Sequence, residues 1–600
     1  MQLQNAPVRL FNDPPLLYSK VEAKTCPVDG QKLYVQKTSE RKIMALGIGT
    51  FIVRFPVCYC KGHPDHGIYR PKELDELAPR NSNVSYSVIV ETGKLRFMEN
   101  RQVTEIQSIL SSQHSIQLSR SEIELLIDKF VFYLAVVHQQ SHKLIHEQIK
   151  LQGGYILHID STCEGDSPKL ASSFDSVSGF VLYSAKLSSE NKDEIVVFLK
   201  KIKNHFGVPL AVVSDMSKAI GIAVKKVYGE IAHYICHFHF LAALGKSLFE
   251  TENNYLRTRL SKVGISGALK NLRRKMSSGF ETLSIENIEY YLAQPEQLGK
   301  TKESTELLAY YLILWVLDHS SDGNGYGFPF DQRYLYFYQR LEVAHTLIKA
   351  ATDYYPAKSK NDAVIWKLYH LIERVVNDAS LKSIVAAYKA KVSLFAELRR
   401  ALAIAPEPAH NGLTQMSTIS SIQELNKIRT AVNQFMKSLN QKISETTDSK
   451  LKSSFKNVKE RIEKYWEKLF ADPLVVHANG KENCLFVQRT NNIMEKHFRQ
   501  LNYSYRRIHG NHSVRRNLEN VPEQLPLVEN LKNPNYMRLV FQDDSKIAQR
   551  FSKVDATIIR KMADQHHSKK QVLCSRKIKN TIRKSYFKDQ LLIAFCNAAV

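Results

Sequence analysis

Between residues 153 and 240 the chain alternates short apolar strands with amphipathic helices, and that alternation confines this stretch to an α/β core. YILHID (155–160) reads as a strand ending on an acid, and GFVLYSA (179–185) as a second strand. PLAVVSD (209–215) is a buried strand that again ends on an acid, and AHYICHF (232–238) is a fourth. Between them, 190–205 lines up Ile195, Phe198, Leu199 and Ile202 on one helical face, with Ser189 as the expected N-cap. A helix over about 218–228 follows. In α/β sheets the C-terminal strand ends face the ligand crevice. Asp160 and Asp215 both stand there, among Ser161, Thr162, Ser214 and Ser217. Carboxylates in that setting suit a hard cation such as Mg²⁺. A single strand-end aspartate is more often a turn or helix cap, so the pair needs support from elsewhere in the chain.

Outside this core the pattern is mostly helical. Residues 241–485 read as a large all-helical domain. Within it Ile422, Leu425, Ile428, Val432, Phe435, Leu439 and Ile443 recur at helical steps, as do Leu451, Phe455, Val458, Ile462, Tyr465 and Leu469. TTDSK between them predicts an antiparallel helical hairpin. SSDGNGYGFPFD (320–331) and APEPAHNG (405–412) read as a loop and a linker. Upstream, 20–95 carries β-type runs (YVQ, GTFIVRF, NVSYSVIV) broken by Gly and Pro. Residues 98–150 turn helical, with one helix over about 102–112 and a second opening at Ser119, where Ser119 and Glu122 form a capping box. That is the outline of a helix-turn-helix, and any αα-hairpin shares it. After about 485 a single long helix leads to a basic tail, KKQVLCSRKIKNTIRKSYFK (569–588).

Charge points to a class of partner, with a basic but ordinary surface as the alternative. Lys and Arg total 84 against 59 Asp and Glu, a net charge of +25, which points to a polyanion such as nucleic acid. The longest apolar run, LLAYYLILWVL (307–317), is far short of the roughly 20 residues a spanning helix needs. The first residues, MQLQNAPVRLFNDPP, lack a signal-peptide pattern. These features predict a soluble chain, cytoplasmic and nucleoid-associated in a bacterium or nuclear in a eukaryote. The eight cysteines are mostly scattered, unlike a secreted disulfide framework.

A third acid follows the helical stretch. In RTNNIMEKHFRQLNYSYRRIHG (489–510), Thr490 or Asn491 is placed to cap a helix carrying Glu495 on its first turns. Lys496, Arg499, Arg506 and Arg507 follow, with Phe498, Tyr503 and Tyr505 interleaved. An acid flanked by basic and aromatic side chains suits a metal ligand facing a nucleic-acid strand, although a solvated helix face has the same composition.

Together, HIDST at Asp160, VVSDMSKAI at Asp215, YICHFHF at 234–240 and TNNIMEKHFR at Glu495 resemble the DDE transposases with an RNase H-like core. The likeness is to the Mutator-like and IS256-like group and covers about 150–515. It implies an α/β RNase H-like catalytic core (151–240) interrupted by an all-α insertion (241–485), with the last catalytic helix in 486–520 and a basic C-terminal region, 521–600. It further implies that Asp160, Asp215 and Glu495 hold two Mg²⁺ or Mn²⁺ ions, cleave transposon ends and transfer a strand to target double-stranded DNA. A homodimer or higher oligomer on DNA is expected with it. Cys236 and His239, the C-x-x-H pair, become a structural or DNA-contacting element beside the triad. Lys496, Arg499, Arg506 and Arg507 become DNA-binding residues. The alternatives are a nuclease or resolvase with the same core but no strand transfer, or a domesticated, non-catalytic DNA-binding protein.

A second metal set lies in the β-rich region 1–97. TCPVDG (25–30) and CYCKGHPDH (58–66) resemble the two knuckles of a zinc ribbon, with Asp29 where the first knuckle's second Cys would fall. Cys26, Cys58, Cys60 and His63 supply four candidate Zn²⁺ ligands, with His66 or Asp29 as substitutes. A degenerate, metal-free ribbon is the alternative.

Overall fold

The computed structural model describes residues 14–277, 289, 293–294, 302–352, 363–405, 422–478, 480–510, 513–572, 583–590 and 593. Most of the linker at 405–412 and the middle of the basic tail, 573–582, lie outside the described residues. The fold is a mixed α/β multidomain architecture with several sheets and many helices. Among the described residues no helix is long and apolar enough to cross a membrane.

The N-terminal part is built on β1 (Leu16–Tyr18), β2 (Leu33–Ala45), β3 (Gly49–Cys60) and β4 (Ile68–Tyr69). β2 and β3 form a long antiparallel pair whose alternate side chains Ile43, Phe51, Val53, Phe55 and Val57 make a small core with Leu74 and Ala78. The run NVSYSVIV, expected as β structure, is instead the start of a helix, Tyr86–Phe97, capped by the Ser85 side chain on Val88 N. β-branched residues favour strands only where a pleated surface awaits them. Here Val88, Ile89, Val90 and Leu95 are all buried against the main core, so packing overrides propensity. Two further helices, Val103–His114 and Arg120–Gln140, have the expected outline, and the Ser119–Glu122 capping box is formed. Residues 130–138 of the second helix are buried throughout, so its exposed surface is largely confined to its opening turns.

The central sheet holds β5 (Ile156–Thr162), β6 (Lys169–Asp175), β7 (Phe180–Leu187), β8 (Ala211–Ser214) and β9 (Ala232–Ile235), in the order β7-β6-β5-β8-β9. β6 runs antiparallel to β5 and β7 antiparallel to β6, whereas β8 runs parallel to β5 and β9 parallel to β8. β6 has no counterpart among the sequence-predicted strands; its KLASSFD is too polar for an apolar-run criterion, yet it is almost wholly buried. Side chains of β5 alternate between two cores. Leu157 and Ile159 join the main one, while Ile156 packs with Ala211, Val213 and Val487 on the other face. The helices Lys192–Phe206 and Lys218–Tyr228 fall where the sequence put them, although Asn191 rather than Ser189 caps the first.

The fourth predicted strand is shorter than expected. β9 stops at Ile235, Cys236 is an N-cap, and a helix runs His237–Val263. From there to Leu469 helices enclose a second core that includes Leu248, Leu341, Tyr388, Phe435 and Ile462. Ile422–Glu445 and Ser449–Leu469 form the predicted hairpin, capped by Asp448. The stretch is not helical to its end: β10 (Leu474–Ala478) and β11 (Lys481–Leu485) form an antiparallel hairpin, and Leu474 and Leu485 pack on the Ile156 face of the sheet. Beyond the helix Asn492–His509 the chain is no loose tail. Leu525, Tyr536 and Phe551 are buried in the main core, and Tyr536 hydrogen-bonds the buried His138 at 2.9 Å.

Candidate functional site

β5 sits where the sheet changes from antiparallel pairing with β6 to parallel pairing with β8. The register pairing His158 with Val213 carries Asp160 and Asp215 to the same end of the sheet. Adjacent parallel strands put the two backbones roughly 5 Å apart there. Asp160 accepts from Ser161 N at 2.8 Å, and Asp215 from Ser217 N at 2.9 Å. Burial, opposed by His239 and aided by the like charges of Asp215 and Glu190, pushes the Asp160 carboxyl up to about 6. A divalent cation placed between these carboxylates would relieve that desolvated charge, so the donor set fits a hard ion bound through oxygen.

Glu190 has no signal in the sequence, because it sits in the polar run SSENKDE before a helix. In the fold its Oε1 accepts from Ser161 Oγ at 2.6 Å and pairs with Lys169 Nζ at 2.8 Å. A third carboxylate thus stands beside Asp160.

The C-x-x-H pair divides. Cys236 is fully buried, which suits a structural role. Its N–H donates to Ser214 O at 2.8 Å, and its Sγ accepts from Asn491 N at 3.2 Å. His239, in the first turn of its helix, faces Asp160 closely enough to favour the charged carboxylate. His237 between them donates its backbone N–H to Arg489 O, and its Nε2 meets Leu469 O at 2.6 Å.

The helix carrying Glu495 lies along β5. Asn491 bonds His158 and Ile159 at one end, and Asn502 Nδ2 reaches Thr162 Oγ1 at 3.4 Å further along. These two contacts bracket the backbone of Glu495; its side chain lies outside the described part. Asn491 stands at the N-cap position as expected, yet its side chain makes no cap. Lys496, Arg499, Arg506 and Arg507 are exposed, and Arg506 reaches Glu164 at 3.7 Å. Of the interleaved aromatics only Tyr503 is well exposed; Phe498 is buried and Tyr505 lies under the Arg96 guanidinium.

The N-terminal cluster is a Cys/Asp/His set compatible with zinc, but not the one the spacing suggested. Cys26, Asp29, Cys60 and His66 bring their ligand atoms within 4.8 Å of one another. Cys26 Sγ is 3.5 Å from His66 Nδ1, Cys60 Sγ is 3.4 Å from Asp29 Oδ2, and His66 Nδ1 is 3.5 Å from the same oxygen. With metal–ligand bonds of about 2.0–2.3 Å, the edge of a zinc tetrahedron is roughly 3.3–3.8 Å, so the spacing fits. Cys58 falls outside the group, because same-face residues on a strand are roughly 7 Å apart. His63 is replaced by His66, since the turn Pro64–His66 swings the later ring inward. His63 instead stacks on His66 with centroids 4.6 Å apart. Asp29 owes its place to a tight turn in which Gly30 adopts φ +74° and Gln31 N donates to Asp29 Oδ1 at 3.0 Å. Tyr69 OH, 3.2 Å from Cys26 Sγ, is oriented to support a thiolate.

No family model and no curated protein matches the chain. Among solved structures, the Drosophila P element transposase strand transfer complex is similar to it at a TM-score of 0.32 and 9% sequence identity, covering 77% of this chain and 94% of that one. At so slight a likeness, function has to be read from the site.

Proposed function

We propose that this protein is a DDE transposase that cleaves DNA at transposon ends and joins the freed strand to target DNA. The observation that carries this reading is the pair Asp160, on β5, and Asp215, the residue after the adjacent parallel strand β8, with the helix of Glu495 laid along β5. A sheet antiparallel on one side of β5 and parallel on the other agrees with an RNase H-like core, and the helical domain between β9 and β10 agrees with the long interval before Glu495.

Asp160, Asp215 and Glu495 would hold two Mg²⁺ or Mn²⁺ ions, which when bound activate the attacking oxygen and stabilise the leaving one. Asp160 and Asp215 would supply carboxylate oxygens from the neighbouring strand ends, and Glu495 a third carboxylate from its helix. Asn491 and Cys236 keep the strand ends and the helix in register, while Lys496, Arg499, Arg506 and Arg507 hold the phosphate backbone. No side chain has to form a covalent link to DNA, because water and then the freed 3′-hydroxyl are the nucleophiles. The Cys26–Asp29–Cys60–His66 cluster would take Zn²⁺ and order the N-terminal module, which with the first turn of the helix Arg120–Gln140 would read the ends. A homodimer or higher oligomer would pair two ends.

The test is an assay with purified protein, Mg²⁺ and DNA carrying the repeats that flank its gene. Cleaved and joined products, both lost with EDTA, are expected. Cleavage without joining would favour the nuclease reading, and binding without cleavage the domesticated one. Backbone contacts also make a quantitative prediction. Replacing Lys496 and Arg507 together by alanine should lower the log–log salt slope of DNA binding by about 2, with a nearly uniform loss across sequences. An unchanged slope would remove this helix from the interface.

A further inference from the structure

Asparagine at a helix N-cap ordinarily spends its side-chain oxygen on the backbone N–H of the next turn. Asn491 does not. Its side chain crosses to the central strand instead, where Oδ1 accepts from His158 Nδ1 at 3.0 Å and Nδ2 donates to Ile159 O at 3.0 Å. Its backbone N–H donates to Cys236 Sγ at 3.2 Å, and Cys236 N–H in turn donates to Ser214 O at 2.8 Å. One residue therefore ties together the positions just before Asp160, the position just before Asp215, and the start of the helix that carries Glu495. Asn491, His158 and Cys236 are each fully buried. The hydrogen-bond polarity is determined: Ile159 O can only accept, so the amide nitrogen faces it, the amide oxygen faces His158, and His158 carries its proton on Nδ1.

We infer that Asn491 is a positioning residue that latches the Glu495 helix onto the ends of β5 and β8, trading a local cap for a tertiary one. Chain connectivity alone cannot deliver that helix, because the helical domain of 241–469 and the hairpin of β10 and β11 come between it and Asp215. Serine caps helices as well as asparagine does but is too short to span His158 and Ile159. Aspartate, equally good as a cap, would set a carboxylate oxygen against a carbonyl. The amide is the group that satisfies both partners. The catalytic consequence rests on the reading that Glu495 completes the site; the latch itself does not.

The experiment compares wild type with Asn491→Ser and His158→Gln in the full-length chain, by peptide-resolved hydrogen exchange and by thiol labelling of Cys236. With the latch broken in Asn491→Ser, exchange over 492–502 should rise at least about tenfold and Cys236 labelling should rise in parallel, while 192–206 keeps its protection. His158→Gln retains an amide donor toward Asn491 and should give a smaller change in the same segment, which keeps the proposal testable if Asn491→Ser fails to fold. Metal-dependent cleavage by Asn491→Ser at saturating DNA should fall at least about fiftyfold, beyond any affinity lost through the loosened Lys496 and Arg499, a split that loss of a helix cap would not produce. Unchanged exchange over 492–502 and unchanged Cys236 labelling in both variants would overturn the latch. Raised exchange in a protein whose wild type cleaves no DNA would leave the latch standing and overturn the catalytic reading instead.

Discussion

Asp160→Asn is expected to abolish metal-dependent cleavage and, in the same protein, to stabilise the metal-free chain near neutral pH. The first effect follows from the proposed chemistry: a neutral amide cannot share two cations, and several kcal/mol of transition-state stabilisation corresponds to a rate loss of at least about a thousandfold. The second follows from burial, which lifts the Asp160 carboxyl from 3.8 to about 6, helped by the charges of Asp215 and Glu190. A carboxyl whose folded pKa is raised favours the fold fully only below its unfolded pKa. Its cost begins as pH rises past about 4 and is complete above about 6, where the folded chain must bury the charged form. Removing that charge should add about 2 kcal/mol at pH 7.5, allowing for residual solvent access, and nothing at pH 3.5. Ser161 N–H keeps an oxygen to donate to, so the substitution loses little local bonding. Thermal or denaturant unfolding at the two pH values, with and without Mg²⁺, measures this. Mg²⁺ should stabilise wild type and leave Asp160→Asn unmoved; a destabilised variant at pH 7.5 would refute the burial argument, and wild-type cleavage by it would refute the triad.

Zinc analysis of the purified protein should return one ion per chain, held by Cys26, Asp29, Cys60 and His66. Cys60→Ser should release it, and Asp29→Ala should weaken it by at least about a hundredfold. Cys58→Ser should retain it, which separates the geometric set from the one suggested by spacing. Metal binding and ordering of the two knuckles are one equilibrium, since the loops at 26–31 and 60–66 have few apolar contacts of their own. Chelation should therefore raise exchange in those loops while the pair β2–β3, with its own core of Ile43, Phe51, Val53 and Val57, stays protected. Specific end binding should fall with zinc loss. Protein isolated without zinc that still ordered both loops would show the cluster to be metal-free.

Much of the core was legible from one dimension. The strands leading to Asp160 and Asp215 were visible because short continuous apolar runs stop at an acid, although β5 continues to Thr162 and β8 stops at Ser214, and the hairpin of Ile422–Glu445 and Ser449–Leu469 because its stripes keep helical spacing. The helix Tyr86–Phe97 was misread because Tyr and Val are locally indifferent to the buried surface that captures them. β6 was missed because buried Ser172, Ser173 and Asp175 satisfy or hide polar groups that mark exposed chain elsewhere. The zinc set shifted because spacing counts residues, whereas coordination depends on strand direction and on the turn that carries His66.

The amino-acid sequence by itself determined the chemistry within reach: a basic chain, two acids at strand ends, a third in an asparagine-led helix, and thiol and imidazole groups near the N-terminus. Those are properties of residue type and short-range periodicity, which survive without a fold. Only the tertiary structure decided which of these groups meet. The burial that lifts Asp160, the approach of Glu190 and His239, the exchange of Cys58 and His63 for Asp29 and His66, and the crossing of Asn491 to His158 and Ile159 all depend on contacts between distant segments. Such contacts are set by packing of the whole chain, which no local pattern encodes.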